Sequence, residues 1–537
     1  MNRFCEACGA ALNPENSFCE ECGTPTRDEL IARRDKQTPP NLVCWHLFSP
    51  AASEAQRQSA VDLSKQNCVC GLIVTDTKRV REVFGADSQK FKDAVSDYSG
   101  QAILRGVCYH VVDVSNCILG SLSSPGWQQY VHLLQRAVQA HLKYTGVSVQ
   151  GVFLLGGNDF IPMAIFKNHA GDPDADIESD LPYSTLQTGD PWHDGAQALS
   201  PALCVGRLPV ADGFPLESVC RYLSNAAQAA ASFPDDIIPF GLSAKQWERT
   251  SNHIYESLFG GSVHTSPRVD LENIEHVFAP EATFQYFNLH GASEEPYWYG
   301  QDGSAYPEAF APEVVAKGIN LNVIGVEACY GARFIDLSPQ QSILLSALAH
   351  TTVAFLGASR IAFGPVKPPI GLADVVIHQF LDGLQKGATA GAAMNAGRLA
   401  VLNAPDLEPM GIKTILEFNL FGDPLLAVRT PAKLQPPIQP PSKSTPAAVI
   451  VLPDVLSLVQ AEVNSIRQTI RRTIDAHVYQ QYPALMGVEP ATAKVILGAS
   501  RHELTRFAYH AKRGPVAITV LIYADERGNI AQEFVSK

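Results

Sequence analysis

From Leu42 onward, short apolar runs alternate with amphipathic stretches, the pattern of a parallel sheet assembled from βα units. The runs at 68–75, 103–114 and 149–155 predict strands. Residues 127–144 carry Tyr130, Leu133, Leu134, Ala137, Ala140 and Leu142 at helical spacing, which predicts a helix crossing over the sheet. A short strand breaking into a turn is expected at 204–210. Four more strands are expected at 237–242, 284–289, 321–328 and 352–357, with helices at 336–349 and 372–384. Beyond a proline-rich stretch, 455–478 has helical periodicity, and 516–523 and 530–535 read as a hairpin around Asp525-Glu526-Arg527-Gly528-Asn529.

A chain of 537 residues exceeds one core. The texture divides it into a cysteine-rich module (1–26), a polar linker (27–41), an N-terminal lobe (42–225), a second lobe (226–430), a proline-rich linker (431–448) and a small α+β domain (449–537) taken as an interaction or regulatory module. The formal net charge of −13 argues against a general nucleic-acid binder, which needs a basic surface to displace counterions from phosphates. No apolar run is long enough to span a membrane or fit at the N-terminus as a signal peptide, so the expectation is a soluble cytoplasmic protein.

Four of the twelve cysteines fall in the first 22 residues. Cys5-Glu6-Ala7-Cys8-Gly9 and Cys19-Glu20-Glu21-Cys22-Gly23 form two CxxCG units, which match the two knuckles of a zinc ribbon. Each glycine lets the backbone turn beneath the metal, and four thiolates fill a tetrahedral sphere, so the expected zinc is structural. The module is too short to bury a core and would take its folding energy from the metal. It resembles bacterial zinc ribbons at the ends of longer proteins, which serve as docking modules. The remaining cysteines lie mostly in or beside apolar runs, as buried thiols do.

The loop after 155 is rich in acids: Asp172, Asp174, Asp176, Glu178, Asp180 and Asp190. Their alternation admits calcium only weakly, because Ile177 stands where an EF-hand loop requires glycine and the distal glutamate is missing. A solvated loop and an acidic wall to a substrate pocket are the other two readings.

Two stretches carry the candidate chemistry. Tyr286-Phe287-Asn288-Leu289-His290-Gly291 and Val326-Glu327-Ala328-Cys329-Tyr330-Gly331 are each an apolar run delivering a reactive side chain beside glycine. If the two strands are adjacent and parallel, both side chains emerge at the carboxyl edge of the sheet, where open α/β sheets place their ligands. Cys329 would be the nucleophile, His290 the base that raises its thiolate fraction, and the N–H groups of Gly291 and Cys329 an oxyanion hole.

These residues resemble the His-Gly and (Glu/Gln)-Ala-Cys-x-Gly signatures of the caspase, legumain and gingipain group of cysteine peptidases. The gingipain family matches best, with further likeness at Gly156-Gly157-Asn158-Asp159-Phe160-Ile161-Pro162, Ser179-Asp180-Leu181-Pro182-Tyr183, Val205-Gly206-Arg207-Leu208-Pro209 and Phe421-Gly422-Asp423-Pro424. The resemblance covers about residues 42–428 and implies a caspase-like α/β fold of two lobes. It further implies a peptide or protein substrate and places Asp180 at the floor of the S1 pocket, selecting Arg or Lys at P1. An asparagine or aspartate preference, as in legumains or caspases, stays open. The loop with Ser359, Arg360 and Phe363 resembles another pocket wall, and Asp159 is a weak candidate for orienting His290. Gingipains are secreted with propeptides, whereas this chain shows a ribbon and no export signal. Restraint by a regulatory protein partner, a bound signal or self-cleavage, with Arg33, Arg34 and Arg268 as basic cut sites, is the corresponding expectation. A catalytically silent protein-interaction platform is the alternative.

Overall fold

A computed structural model of the chain describes residues 3–4, 11–12, 44–67, 69–116, 126–211, 213–404, 407, 409–429, 460–497 and 502–537. Ten strands form one sheet: β1 (Val69–Thr75), β2 (Val107–Asp113), β3 (Val149–Leu155), β4 (Cys204–Leu208), β5 (Pro239–Ala244), β6 (His264–Ser266), β7 (Phe284–Asn288), β8 (Asn322–Val326), β9 (Thr352–Ala358) and β10 (Phe418–Gly422). Across the sheet they run β6-β5-β7-β8-β9-β10-β4-β3-β1-β2. Every pairing is parallel except that of β10 with β9. The middle strands are buried along their whole length, which is why they read as continuous apolar runs rather than alternating ones. The architecture is mixed α/β with flanking helices, as the patterning implies.

Three differences from the patterning have physical causes. The apolar run at 103–114 is not one strand. Ser88–Ile103 is helical, and Gly106, at φ 78°, turns the chain into β2 at Val107. The helix expected at 336–349 starts only at Ile343, where Ser342 caps the amide of Leu345 at 3.3 Å and Asp336 upstream sits at φ 57°. Strand β10 follows the helix Pro409–Glu417 without an intervening turn, so no Gly, Pro or Asn cluster announces it.

β10 joins the two halves of the sheet. It is antiparallel to β9 on one side, and Phe421 pairs with Arg207 of β4 on the other. Just beyond it, buried Asp423 accepts hydrogen bonds from the Tyr98 and Tyr109 hydroxyls, from Arg105 Nη2 at 2.7 Å and from the Leu425 amide at 2.8 Å. The Phe-Gly-Asp-Pro motif is thus a structural joint.

The C-terminal unit packs the helix Gln460–Gln481 with an antiparallel sheet of Ala491–Leu497, His502–Arg513, Val516–Ala524 and Ile530–Ser536. The hairpin expectation holds, while the first two strands were not signalled. The fifth strand of this sheet, Phe363–Gly364, comes from the main body and pairs antiparallel with the last one. Arg3–Phe4 pairs with Ala11–Leu12. Cys5, Cys8, Cys19 and Cys22 lie outside the described residues, as do both linkers. Among the described residues no helix is long and apolar enough to cross a membrane.

Candidate active site

β7 and β8 are neighbours and parallel, with Phe287 opposite Val326. Each chain runs three residues further to reach His290 and Cys329 at the same level of the carboxyl edge. The amide of Glu327 donates to the Phe287 carbonyl at 2.9 Å and carries the pairing one step beyond the strands. Gly291 packs directly on the second motif: a Cβ there would lie 1.6 Å from the Cys329 carbonyl oxygen, so only glycine fits. After Cys329 the chain turns at Tyr330, φ 51°, and Gly331 donates to Ala328 at 3.0 Å.

His290 is oriented by Gln301. Gln301 Nε2 donates to the Gly303 carbonyl and the Tyr306 hydroxyl, each at 3.1 Å, which turns its Oε1 toward His290 Nε2 at 2.6 Å. The carbonyl oxygen can only accept, so Nε2 carries the proton and Nδ1 is left as the basic nitrogen. Nδ1 is buried and has no hydrogen-bond partner among the described residues. The ring lies 4.5 Å from Trp247 and 5.3 Å from Tyr306, centroid to centroid. Burial pushes its pKa down to about 4, opposed by the Gln301 bond and reinforced by the Lys537 charge. Gln301 sits in a polar loop with no spacing signal that singles it out. Asp159 follows β3, in the other half of the sheet, and has no hydrogen bond to His290.

Cys329 is 2% exposed. Its thiol donates to the Ala362 carbonyl at 3.6 Å, and burial pushes its pKa well above that of a free thiol. The Cys329 amide donates to the carbonyl oxygen of Lys537 at 3.0 Å. Lys537 in turn donates its own amide to Ala362 at 2.9 Å, and before it Ser536 pairs with Phe363 and Val535 with Gly364. The Lys537 side chain is fully buried, with Nζ bonded to Glu327 and Asp374 and 5.5 Å from the centre of the Trp247 ring. Burial lowers the Lys537 pKa, but the carboxylates of Asp374 and Glu327 outweigh it and leave it raised. Burial, with Asp374 nearby, pushes Glu327 well above the usual carboxylate range despite Lys537.

Asp180, the residue expected at the floor of the S1 pocket, is engaged elsewhere. Arg207 grips its two oxygens at 2.8 and 2.6 Å and also donates to the carbonyls of Gly156 and Ile161 at 2.7 and 2.8 Å. Both residues are buried. Three of the stretches that resemble gingipains therefore meet in one internal ion-pair network, and the carboxylate there has no free face for a substrate cation. The acid-rich loop is likewise not a solvated one. Asp172 and Asp174 flank buried Lys413 Nζ at 2.7 and 2.8 Å, and Glu417 lies 3.8 Å away. Asp174 also accepts from the Tyr330 hydroxyl at 2.6 Å and the Ile361 amide at 2.9 Å, and Glu178 pairs with Arg360. The loop thereby braces the 359–364 wall. Of the acids that suggested calcium, Asp172 and Asp174 are counter-ions of Lys413, Asp176 pairs with Lys167, Glu178 with Arg360 and Asp180 with Arg207, and among the described residues no cluster of three or more His, Cys, Asp or Glu is placed to hold a metal ion.

No family model matches the chain, and no curated protein matches it. Among solved structures it is similar to the Arg-specific cysteine proteinase gingipain R (RgpB), at 15% identity over 88% of this chain and 91% of that one, with a TM-score of 0.45. A complex of Porphyromonas gingivalis RgpB pro- and mature domains matches at 15% identity, 86% and 99% coverage and a TM-score of 0.46. A structure described only as a protease matches at 12% identity, 87% and 97% coverage and 0.44. At such identities activity and specificity have to be sought in the residues of the site.

Proposed function

We propose that this chain is a cysteine endopeptidase that cleaves peptide bonds after a basic residue, with Cys329 as nucleophile and His290 as base. The observation that carries this reading is the pair of adjacent strands delivering His290 and Cys329 to one edge while the Cys329 amide holds a backbone carbonyl oxygen at 3.0 Å. In the proposed reaction His290 Nδ1 takes the thiol proton as Cys329 Sγ attacks the substrate carbonyl carbon. The oxyanion that forms is held by the Cys329 N–H, with the Gly291 N–H as the second proposed donor, each such donor being worth about 10²–10³ in rate. Collapse breaks the C–N bond, and the departing amine takes the proton from His290. Water, deprotonated by the same nitrogen, then hydrolyses the thioester and frees the thiol.

A peptide panel varied at P1, assayed with wild type, Cys329→Ala and His290→Ala, tests this. Hydrolysis after basic residues that disappears in both variants is expected, and unchanged hydrolysis in Cys329→Ala refutes it. The burial of the Cys329 thiol favours a second reading, a silent protein-interaction platform, in which no variant cleaves any peptide.

In the same reading Cys5, Cys8, Cys19 and Cys22 hold a structural zinc, and metal analysis of the full chain against a Cys5→Ser, Cys8→Ser variant checks it. A cytoplasmic setting, restraint by a protein partner and self-cleavage after Arg33, Arg34 or Arg268 belong to this proposal too. Mass spectrometry of active protein showing no cut after any basic residue removes the last.

A further inference from the structure

We infer that Glu327 and Asp374, with the Trp247 ring and the bare backbone of Gly364, form the specificity pocket of this site; that the pocket selects lysine over arginine at P1; and that residues 535–537 occupy the cleft in the register of a substrate strand. This rests on the cysteine-peptidase reading and adds to it the substrate class and the cover of the site.

The backbone carries the first part of the argument. An extended peptide recognised by an open sheet edge adds as a strand, its main-chain hydrogen bonds giving affinity and alternate side chains entering pockets. Val535 and Ser536 pair with Gly364 and Phe363, the Lys537 amide donates to Ala362, and the Lys537 carbonyl oxygen lies on the amide of the candidate nucleophile. That is the placement of the residue before a scissile bond. The side chains alternate accordingly: Ser536 turns back to its own sheet, where its hydroxyl accepts from the Thr519 amide at 2.8 Å, while Lys537 enters the pocket.

Charge and space carry the second part. Glu327 and Asp374 are both fully buried, and among the described residues the other donors to them are neutral: the Tyr286 hydroxyl reaches Glu327 at 2.8 Å, and the Gly371 amide reaches Asp374 at a long 3.5 Å. Two buried acids facing one ammonium make a pocket that is penalised when empty of a cation. Its size fits the compact ammonium. A Cβ on Gly364 would stand 2.2 Å from Lys537 Cε and 2.6 Å from Nζ, so the wall already touches the lysine, and a planar guanidinium, longer and wider, has no room. Cover of the nucleophile follows, because Cys329, Ile361 and Phe363 are buried in one apolar cluster with Ala508, Leu521 and Tyr523 of the C-terminal unit. Peptide substrate enters once that strand has left.

The test uses the full chain and two readouts. The first is the rate at which iodoacetamide alkylates Cys329, followed by mass spectrometry on wild type, Lys537→Ala, and Lys537→Ala combined with Asp374→Asn, with circular dichroism checking the fold. Alkylation about tenfold faster in Lys537→Ala is expected, and the acetylated peptide Glu-Phe-Val-Ser-Lys should slow it again while its arginine-ended analogue does so about tenfold less well. Protection should be lost when Asp374→Asn is added. Equal alkylation in wild type and Lys537→Ala, or equal protection by the two peptides, overturns the inference whether or not the protein cleaves anything. The second readout is hydrolysis by Lys537→Ala of peptides differing only at P1. Faster cleavage after arginine than after lysine overturns the inference and leaves the peptidase reading standing. Lysine-selective protection without any hydrolysis overturns the peptidase reading and supports the pocket.

Discussion

Replacing Lys413 by methionine isolates the buried charge that braces the wall of the site. The ammonium is fully buried among Asp172 at 2.7 Å, Asp174 at 2.8 Å and Glu417 at 3.8 Å. Methionine keeps the length and most of the volume, so the change removes charge more than packing. Breaking a buried ion pair from one side costs about 3–5 kcal/mol, because the partner is left charged and dry. With three acids sharing one cation, the upper part of that range is expected at pH 7. The pH dependence distinguishes this from a packing loss. With Lys413 in place burial holds Asp172 and Glu417 above the usual carboxylate range while the ammonium helps hold Asp174 below it; without the ammonium all three move upward, so above about pH 4 and below those new values the folded state binds more protons than the unfolded one. Stability then increases as pH falls through that window, and the deficit of Lys413→Met should narrow from pH 7 to pH 5. Urea unfolding of both proteins at the two pH values measures it. A deficit below about 1 kcal/mol at pH 7, or one that widens on acidification, refutes the reasoning. Because Asp174 also holds Tyr330 and the Ile361 amide, the edge that receives residues 535–537 should exchange its amide hydrogens faster in the variant.

Other outcomes follow from the same geometry. Gln301→Ala frees the imidazole to rotate and should lower kcat by about 10²-fold with little change in KM, while Gln301→Glu sets a carboxylate against Nε2–H and should move the acid limb of the pH–rate profile upward from about 4 by about one to three units; an unmoved limb argues against the assignment of Nδ1 as base. Asp180→Ala strands the fully buried Arg207 guanidinium and should cost about 3–5 kcal/mol in urea unfolding while leaving P1 preference as it was, whereas a changed preference returns Asp180 to the pocket. His110 is buried beside the Ser64 hydroxyl at 2.6 Å, and burial holds its pKa down at about 3. Its neutral form therefore contributes stability that is complete above about pH 6.5 and is lost as pH falls toward 3, at most about 4–5 kcal/mol; His110→Gln should flatten the acid side of the stability profile.

Much of the sheet was legible because its strands are buried on both faces, which makes 149–155, 284–289 and 352–357 stand out as unbroken apolar runs. The placement of His290 and Cys329 just past two such runs was legible for the same reason, while the adjacency of those strands was a condition that sequence left open. What escaped was whatever depends on partners distant in sequence. Asp180 looks like a free acid in a loop until Arg207 is seen gripping it, and Glu327 looks like part of a signature until Lys537 is seen against it. Lys537, Asp374 and Gln301 carry no local pattern at all. Their roles exist only once β8, the helix Ala373–Gln385 and the last strand have converged. The apolar run before Cys329 was readable as a strand, but nothing in it said that the edge beyond would be completed by residues so far along the chain.

The joint at β10 also fixes an order of events during synthesis. The strands β1 to β4 are made early, yet the edge of β4 stays open until residues 418–422 emerge, and the Tyr98, Tyr109 and Arg105 side chains wait for Asp423 across more than three hundred residues. Closing so long a loop is slow, and meanwhile the N-terminal half presents an unpaired sheet edge and a polar cluster without its acid. A ribosome-bound fragment ending near residue 400 should accordingly bind chaperones and aggregate when released, whereas one extended past residue 429 should not. The nascent chain is most vulnerable just before the second half of its sheet is complete.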